Sequence, residues 1–182
     1  MKTSRVHIMG ASGSGATTLG RAVADALASP NHDTDDYYWL PTTPPYRDRR
    51  ELADRLRLMH ELFLGRDKWV LSGSLDNWGA AIVPFFDLVV FLTVARDMRL
   101  KRLRDREARL YGETEILPGG KRNQETEEFI EWASHYEDGT RGGRSLPRHE
   151  AWLATLPCPV IRLDGARERA SLVTEVLRAL PR

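Results

Sequence analysis

The sequence predicts an α/β fold in which a parallel sheet carries helices on both faces, and three observations predict it. Short apolar runs recur at residues 6–9, 69–71, 88–94 and 159–163, separated by stretches whose apolar residues fall at helical spacing. The run at 88–94 is branched and uncharged, as a strand buried on both faces must be. The run at 6–9 leads through GASGSGATT (residues 10–18) into a helical pattern, giving strand, loop and helix in order. Alternation of this kind implies right-handed helical crossovers between parallel strands.

The 182 residues suffice for one well-buried core with insertions, so a single domain over 1–182 is expected. Apolar content of 41% and charged content of 29% exclude wholesale disorder. A net charge of +1 argues against a general nucleic-acid binder, and no recognition-helix pattern or aromatic-interleaved basic face supports one. No apolar stretch is long enough for a membrane helix, and MKTSRVHIMG lacks the hydrophobic block of a signal peptide, so a cytoplasmic protein is expected. The single cysteine, Cys158, excludes an internal disulfide and a multi-cysteine zinc site, and its apolar neighbours predict a buried thiol. Nothing in the pattern carries a signature of oligomeric state.

After the first loop, Leu19, Ala22, Val23, Ala26 and Leu27 mark one helix face. Residues 31–33 are the remaining strand, short and polar. Residues 37–64 turn rich in proline and arginine and then become helical from 50 to 64, a small insertion. A second insertion, about 110–148, is glycine-rich, charged and weakly apolar, a composition that suits a mobile lid.

The loop itself carries the chemistry. Glycines at 10, 13 and 15 allow successive backbone N–H groups to converge on an anion at the positive end of a helix dipole. Ser12, Ser14 and Thr18 are small and hydroxylated, and Thr17 stands where such loops place a Mg²⁺-ligating hydroxyl. The preceding position, reserved for a lysine, holds Ala16. If that loss resembles removal of one preorganised donor, it costs about 2.7 to 4 kcal/mol in a transition state. An arginine from elsewhere contributes roughly 10³ to 10⁵ in rate, enough to offset it. The alternative is a glycine-rich turn that only joins strand to helix.

On the strength of GASGSGATT and the order of its elements, the chain resembles the small P-loop kinases of the adenylate kinase and shikimate kinase type, including adenylate-kinase-like proteins of unassigned substrate. Ala16 departs from the motif. The resemblance implies a P-loop NTPase three-layer fold with a five-stranded parallel sheet, a substrate-binding insertion after the second strand (37–64) and an arginine-bearing lid after the fourth (110–148). It also implies ATP and Mg²⁺ as cofactors and a nucleotide or other small molecule as acceptor. Gly10, Ser12, Gly13, Ser14, Gly15, Ala16, Thr17 and Thr18 would then hold the nucleotide, and residues 165–167 would flank its base.

The stretch HDTDDYYW puts Asp33, Asp35 and Asp36 where the second strand should end, at the edge where open parallel sheets bind ligands. This looks like the Asp-x-Asp of shikimate-kinase-like enzymes, which gives Asp33 a metal role with Thr17 and Asp35 the acceptor and catalytic role; the alternative is an acidic turn capped by Asp33. Arg102, Arg106 and Arg109 fall at i, i+4 and i+7, a single basic ridge, and the Arg102/Arg106 pair matches the Arg-x-x-x-Arg that borders the nucleotide in adenylate-kinase-like proteins. Arg141 and Arg144, beside paired glycines, are the candidates to close over phosphates in place of the lysine. Ser72, Gly73 and Ser74 should approach the acceptor, while Tyr38, Trp39 and Trp78 either stack on it or belong to core and rim. The acidic run at 125–131 reads as a solvated helix face, and His7, His135 and His149 show no metal spacing. Two functions follow: an ATP-dependent phosphotransferase, or a non-catalytic nucleotide-binding regulatory protein in which Ala16 has removed the charge that transfer needs.

Overall fold

The computed structural model describes residues 3–75 and 77–181. Five strands, β1 (Ser4–Gly10), β2 (Asn31–Asp33), β3 (Lys68–Ser72), β4 (Leu88–Thr93) and β5 (Val160–Asp164), form one all-parallel sheet in the order β2-β3-β1-β4-β5. The period of two in β4 explains why its sequence is apolar without interruption. Leu88, Val90 and Leu92 enter one core and Val89 and Phe91 enter the other. The first core lies under α1 (Ala16–Leu27) and the C-terminal helix of residues 169–179, with Leu19, Val23, Leu172 and Val176. The opposite core packs Met59, Phe63, Trp69 and Leu153 on the other sheet face.

The edge strands depart from the apolar rule. Strand β2 is three polar residues, paired Asn31 to Val70 and Asp33 to Ser72, and it holds because Ser72 Oγ donates to Asn31 Oδ1 over 2.9 Å. Helix α1 crosses this pair at Gly20, where an added Cβ would meet Ser72 and Asn31. Ser72 is thus committed to the α1, β2 and β3 packing. Strand β5 is the other edge, with Arg162 turned outward to Glu150. Cys158, expected buried, is half-buried at the approach to this edge, where burial raises its thiol pKa.

Helix α2 (Thr34–Tyr38) follows β2, and its Tyr37 belongs to the core, its Oη 2.8 Å from His32 Nδ1. The following strap is tied back where Leu40 N–H donates to Asp48 O and Arg50 N–H donates to Tyr38 O. Helix α3 (Leu52–Met59) then runs into a π-helical turn, His60–Leu64. After β4 come α4 (Arg96–Tyr111), α5 (Glu113–Ile116), α6 (Asn123–Ser134) and α7 (Leu146–Leu153), followed after β5 by α8 (Arg169–Ala179). Helix α6 docks on α4 through Leu103, Ile130 and Ala133. Its acids face outward as expected, Glu127 to Arg104 and Glu125 to Arg122 and Arg47. The 110–148 segment therefore carries folded structure on few apolar residues, because those few share one helix face. Among the described residues no helix is long and apolar enough to cross a membrane.

Candidate active site

Strand β1 delivers the chain at Gly10 into a loop that turns twice through left-handed backbone, at Gly13 (φ 82°) and Gly15 (φ 95°). A Cβ at Gly13 would lie 2.6 Å from the Arg99 carbonyl, so the loop needs glycine there for space as well as for conformation. Ser14 N–H donates to Ala11 O over 3.0 Å and closes the turn. The N–H groups of Gly13 and Gly15 donate to no group among the described residues, α1 starts with no side-chain cap, and Ser14 Oγ is buried without a partner. Uncommitted amides at the start of a 12-residue helix fit the phosphates of a nucleotide.

At the carboxyl end of β2, Thr17 Oγ1 donates to Asp33 Oδ2 over 3.0 Å, and Asp33 Oδ1 accepts from Asp35 N–H over 3.1 Å. One oxygen of Asp33 therefore caps α2, as the acidic-turn alternative expects, and the other meets the loop hydroxyl. A hydroxyl and a carboxylate are hard oxygen donors. Among the described residues no three His, Cys, Asp or Glu side chains form a metal cluster, and Mg²⁺ bound with a nucleotide needs only one or two protein ligands. Behind Asp33, burial raises the pKa of Asp35, while the field of Arg144 lowers it and that of Asp33 raises it.

Arg144 Nη1 reaches Ser12 Oγ at 3.5 Å, whereas Arg141 is exposed and turned to Glu131. The structure thus separates these two arginines and brings only Arg144 to the loop. It also divides the expected ridge on α4. Arg102 extends over the loop, Nη1 to the carbonyls of Gly13 (3.5 Å) and Ser14 (3.4 Å) and Nη2 to Gly165 O (3.1 Å). Arg106 pairs with Glu107 and lies over the Phe129 ring, and Arg109 folds back on Asp105 O, so the single ridge is not formed.

Gly73 N–H donates to Ile8 O, which holds this loop against β1. Ser74, expected to approach the acceptor, is buried with Oγ 3.0 Å from His149 Nε2, and His149 Nδ1 is 2.8 Å from Tyr136 Oη. A buried hydroxyl is held by its partner, and this one is engaged inside the fold. His7 is likewise internal, stacked on Phe86 with Nδ1 3.1 Å from Leu71 O, and burial lowers its pKa to about 3. Tyr38 and Trp78 close around the buried Arg55, whose guanidinium lies 3.9 Å from the Tyr38 ring centroid, and Trp39 stands edge-on to Tyr38.

Sequence reasoning missed Arg99. It is 1% exposed, donates from Nη1 to Ser12 O over 3.1 Å, pairs with Glu137 and lies over the Tyr136 ring. Its signal was the inward face of α4, where Arg99, Leu103 and Glu107 recur four residues apart. A cavity of about 400 Å³ borders the loop at Ala11, lined also by Thr93, Arg96, Arg99, Tyr136 and Asp164. Thr17, Asp33 and Asp35 are not among its lining residues.

The strand order, the glycine loop between β1 and α1 and helices on both faces define a P-loop kinase fold. Solved structures agree. A gluconokinase from Sinorhizobium meliloti 1021 aligns over 96% of this chain and 90% of its own with a TM-score of 0.52 and 18% identity. A shikimate kinase from Acinetobacter baumannii, in complex with shikimate, aligns over 97% of this chain and 92% of its own with a TM-score of 0.54 and 14% identity. No protein-family model matches the chain. The chain belongs to the family of the uncharacterized protein YqaC of Bacillus subtilis (strain 168), to which it is 41% identical over 175 residues, 94% of this chain and 96% of that protein.

Proposed function

We propose that the chain is an ATP-dependent phosphotransferase acting on a small-molecule acceptor. The observation that carries the reading is the Thr17 to Asp33 hydrogen bond, which joins the phosphate loop to the strand end that bears Asp35. Thr17 and Asp33 would hold the Mg²⁺ of Mg·ATP, whose nucleotide would supply the phosphoryl group while the ion would offset the phosphate charge. The amides of Gly13 and Gly15 and the start of α1 receive the phosphates. Asp35, made more basic by burial, orients the acceptor hydroxyl and takes its proton. Arg144, at Ser12, meets the charge that a lysine at position 16 would have met. In this reading the 37–64 insertion contributes the acceptor side and the 110–148 segment the lid, while Arg102 and Arg106 border the nucleotide.

The test is the purified protein with Mg·ATP and a panel of nucleotides, sugars and polyols, read by ADP release and ³¹P spectra. Transfer to one acceptor class is expected, and Asp35→Asn should keep ATP binding while losing roughly 10² to 10⁴ in rate. Absence of both binding and transfer refutes the reading. Ala16 favours a second one, since its side chain packs against the apolar core under α1 and α8. On that reading the protein is a nucleotide-binding regulator, and the same experiment gives binding without turnover.

A further inference from the structure

We propose that Arg99 and Arg102 complement Arg144 in offsetting the absent lysine, acting from behind the loop on the bound phosphates through the peptide groups of residues 12–15. The inference takes its ligand from the nucleotide-binding part of the proposed function, while its geometry stands without it.

Each peptide unit presents a carbonyl on one side and the next residue's N–H on the other. Arg99 donates to Ser12 O (3.1 Å), and that peptide carries the Gly13 N–H. Arg102 faces Ser14 O (3.4 Å), and that peptide carries the Gly15 N–H. Both N–H groups, like those of Ser12, Ala16, Thr17 and Thr18, have no acceptor among the described residues. The third carbonyl under a guanidinium, Gly13 O, belongs to the peptide whose N–H, that of Ser14, is already spent on Ala11 O. A guanidinium therefore stands behind each of two peptides whose donors remain available for an anion, that of Arg99 paired with Glu137 and that of Arg102 with no carboxylate partner among the described residues.

Three physical effects act in one direction. A cation on the carbonyl polarises the peptide and strengthens its N–H as a donor, as chained hydrogen bonds strengthen one another. Carbonyls held outward cannot flip into the cradle, so the donors are preorganised. Finally, the guanidinium charge adds to the helix dipole within a few ångströms of the phosphates. Arg99 cannot swing onto the ligand, because its guanidinium is fixed by Ser12 O, Ala133 O and Glu137 and is shielded from solvent. Any effect it has on a nucleotide passes through the loop backbone. Arg102, which pairs with no carboxylate among the described residues, leaves its charge unneutralised at the loop. Both are positioning residues, and together they explain how a loop with Ala16 keeps its electrostatic purpose.

The experiment combines ¹H–¹⁵N spectra of the unliganded protein with titrations of Mg·ATP and of AMP, in wild type, Arg102→Met, Arg99→Met and Arg102→Met/Ala16→Lys. The Gly15 amide should move upfield in Arg102→Met and the Gly13 amide in Arg99→Met, before any ligand is added. The Kd for Mg·ATP should rise about tenfold in each, that for AMP less than about twofold, and Ala16→Lys should restore most of the ATP loss. Unmoved amides, unchanged ATP affinity or equal weakening of ATP and AMP overturns the inference. Loss of packing around Glu137 in Arg99→Met leaves the decision to Arg102→Met, whose side chain is only half-buried. Should wild type bind no ATP, the proposed function fails, and the amide shifts alone decide the inference.

Discussion

Replacing Gly20 by alanine tests how α1, and with it the phosphate loop, is seated on the sheet. The added Cβ would fall 2.7 Å from Asn31 Oδ1, 3.3 Å from Ser72 Cβ and inside the van der Waals sphere of Ser72 Oγ. Those two oxygens are themselves joined by a 2.9 Å hydrogen bond, and Ser72 is fully buried, so neither can move without breaking it. Overpacking of this kind costs about 1 to 3 kcal/mol, and the broken bond about 1 kcal/mol. Alanine returns about 1 kcal/mol of helix propensity over glycine. A net loss of about 1 to 3 kcal/mol follows, which for a domain of this size lowers Tm by about 3 to 10 °C. Thermal melts of Gly20→Ala in the wild-type and Ser72→Ala backgrounds decide the matter. Removing the hydroxyl should abolish most of the loss. A rise in Tm for Gly20→Ala alone, or an equal fall in both backgrounds, refutes the packing argument.

Two other outcomes follow from the charges of the site and the core. On the proposed phosphotransferase reading, Asp35 in Arg144→Met loses the cation that opposes its burial, so its pKa climbs and the acid limb of the kcat profile moves to higher pH. The rate itself should fall by about 10³ or more; a limb that stays put or moves downward sinks the assignment. His7 is held neutral by burial, with a folded pKa of about 3 against an unfolded value near 6.5. Protonation favours the unfolded chain, so the stability His7 contributes is complete above pH 6.5 and is lost as pH falls toward 3. The slope is at most about 1.4 kcal/mol per pH unit. Urea midpoints of wild type and His7→Leu should therefore converge across that window, and parallel curves would show that the imidazole is not the cause.

The fold was legible where one physical demand dominated. Strand β4 is buried on both faces and must be apolar throughout, and the loop at 10–18 must be glycine-rich to turn its amides inward. Strand β2 was visible mainly through the acids that follow it, since its three residues are held by backbone pairing and by a serine 41 positions away. The arginines divided for a different reason. Spacing of four and seven residues places side chains on one face of α4, but the docking of Ile130 and Ala133 against Leu103 decides which arginine meets the loop. Arg99 was hidden among six arginines in one helix, and only its burial distinguishes it. Ser74 looked like a cleft residue until His149, 75 residues later, took its hydroxyl. Arg141 and Arg144 differ by three positions in a loop, where no periodicity assigns direction.

Asp33 links two helices with a single planar group. Its Oδ2 meets the first turn of α1 at Thr17, and its Oδ1 starts the short helix that carries Asp35. A carboxylate cannot rotate one oxygen without moving the other, so whatever draws on Oδ2 is felt at the Asp35 amide of α2. Registration between the glycine loop at the start of α1 and the turn that carries Asp35 is therefore a property of one side chain, and the two segments keep step as a single mechanical part.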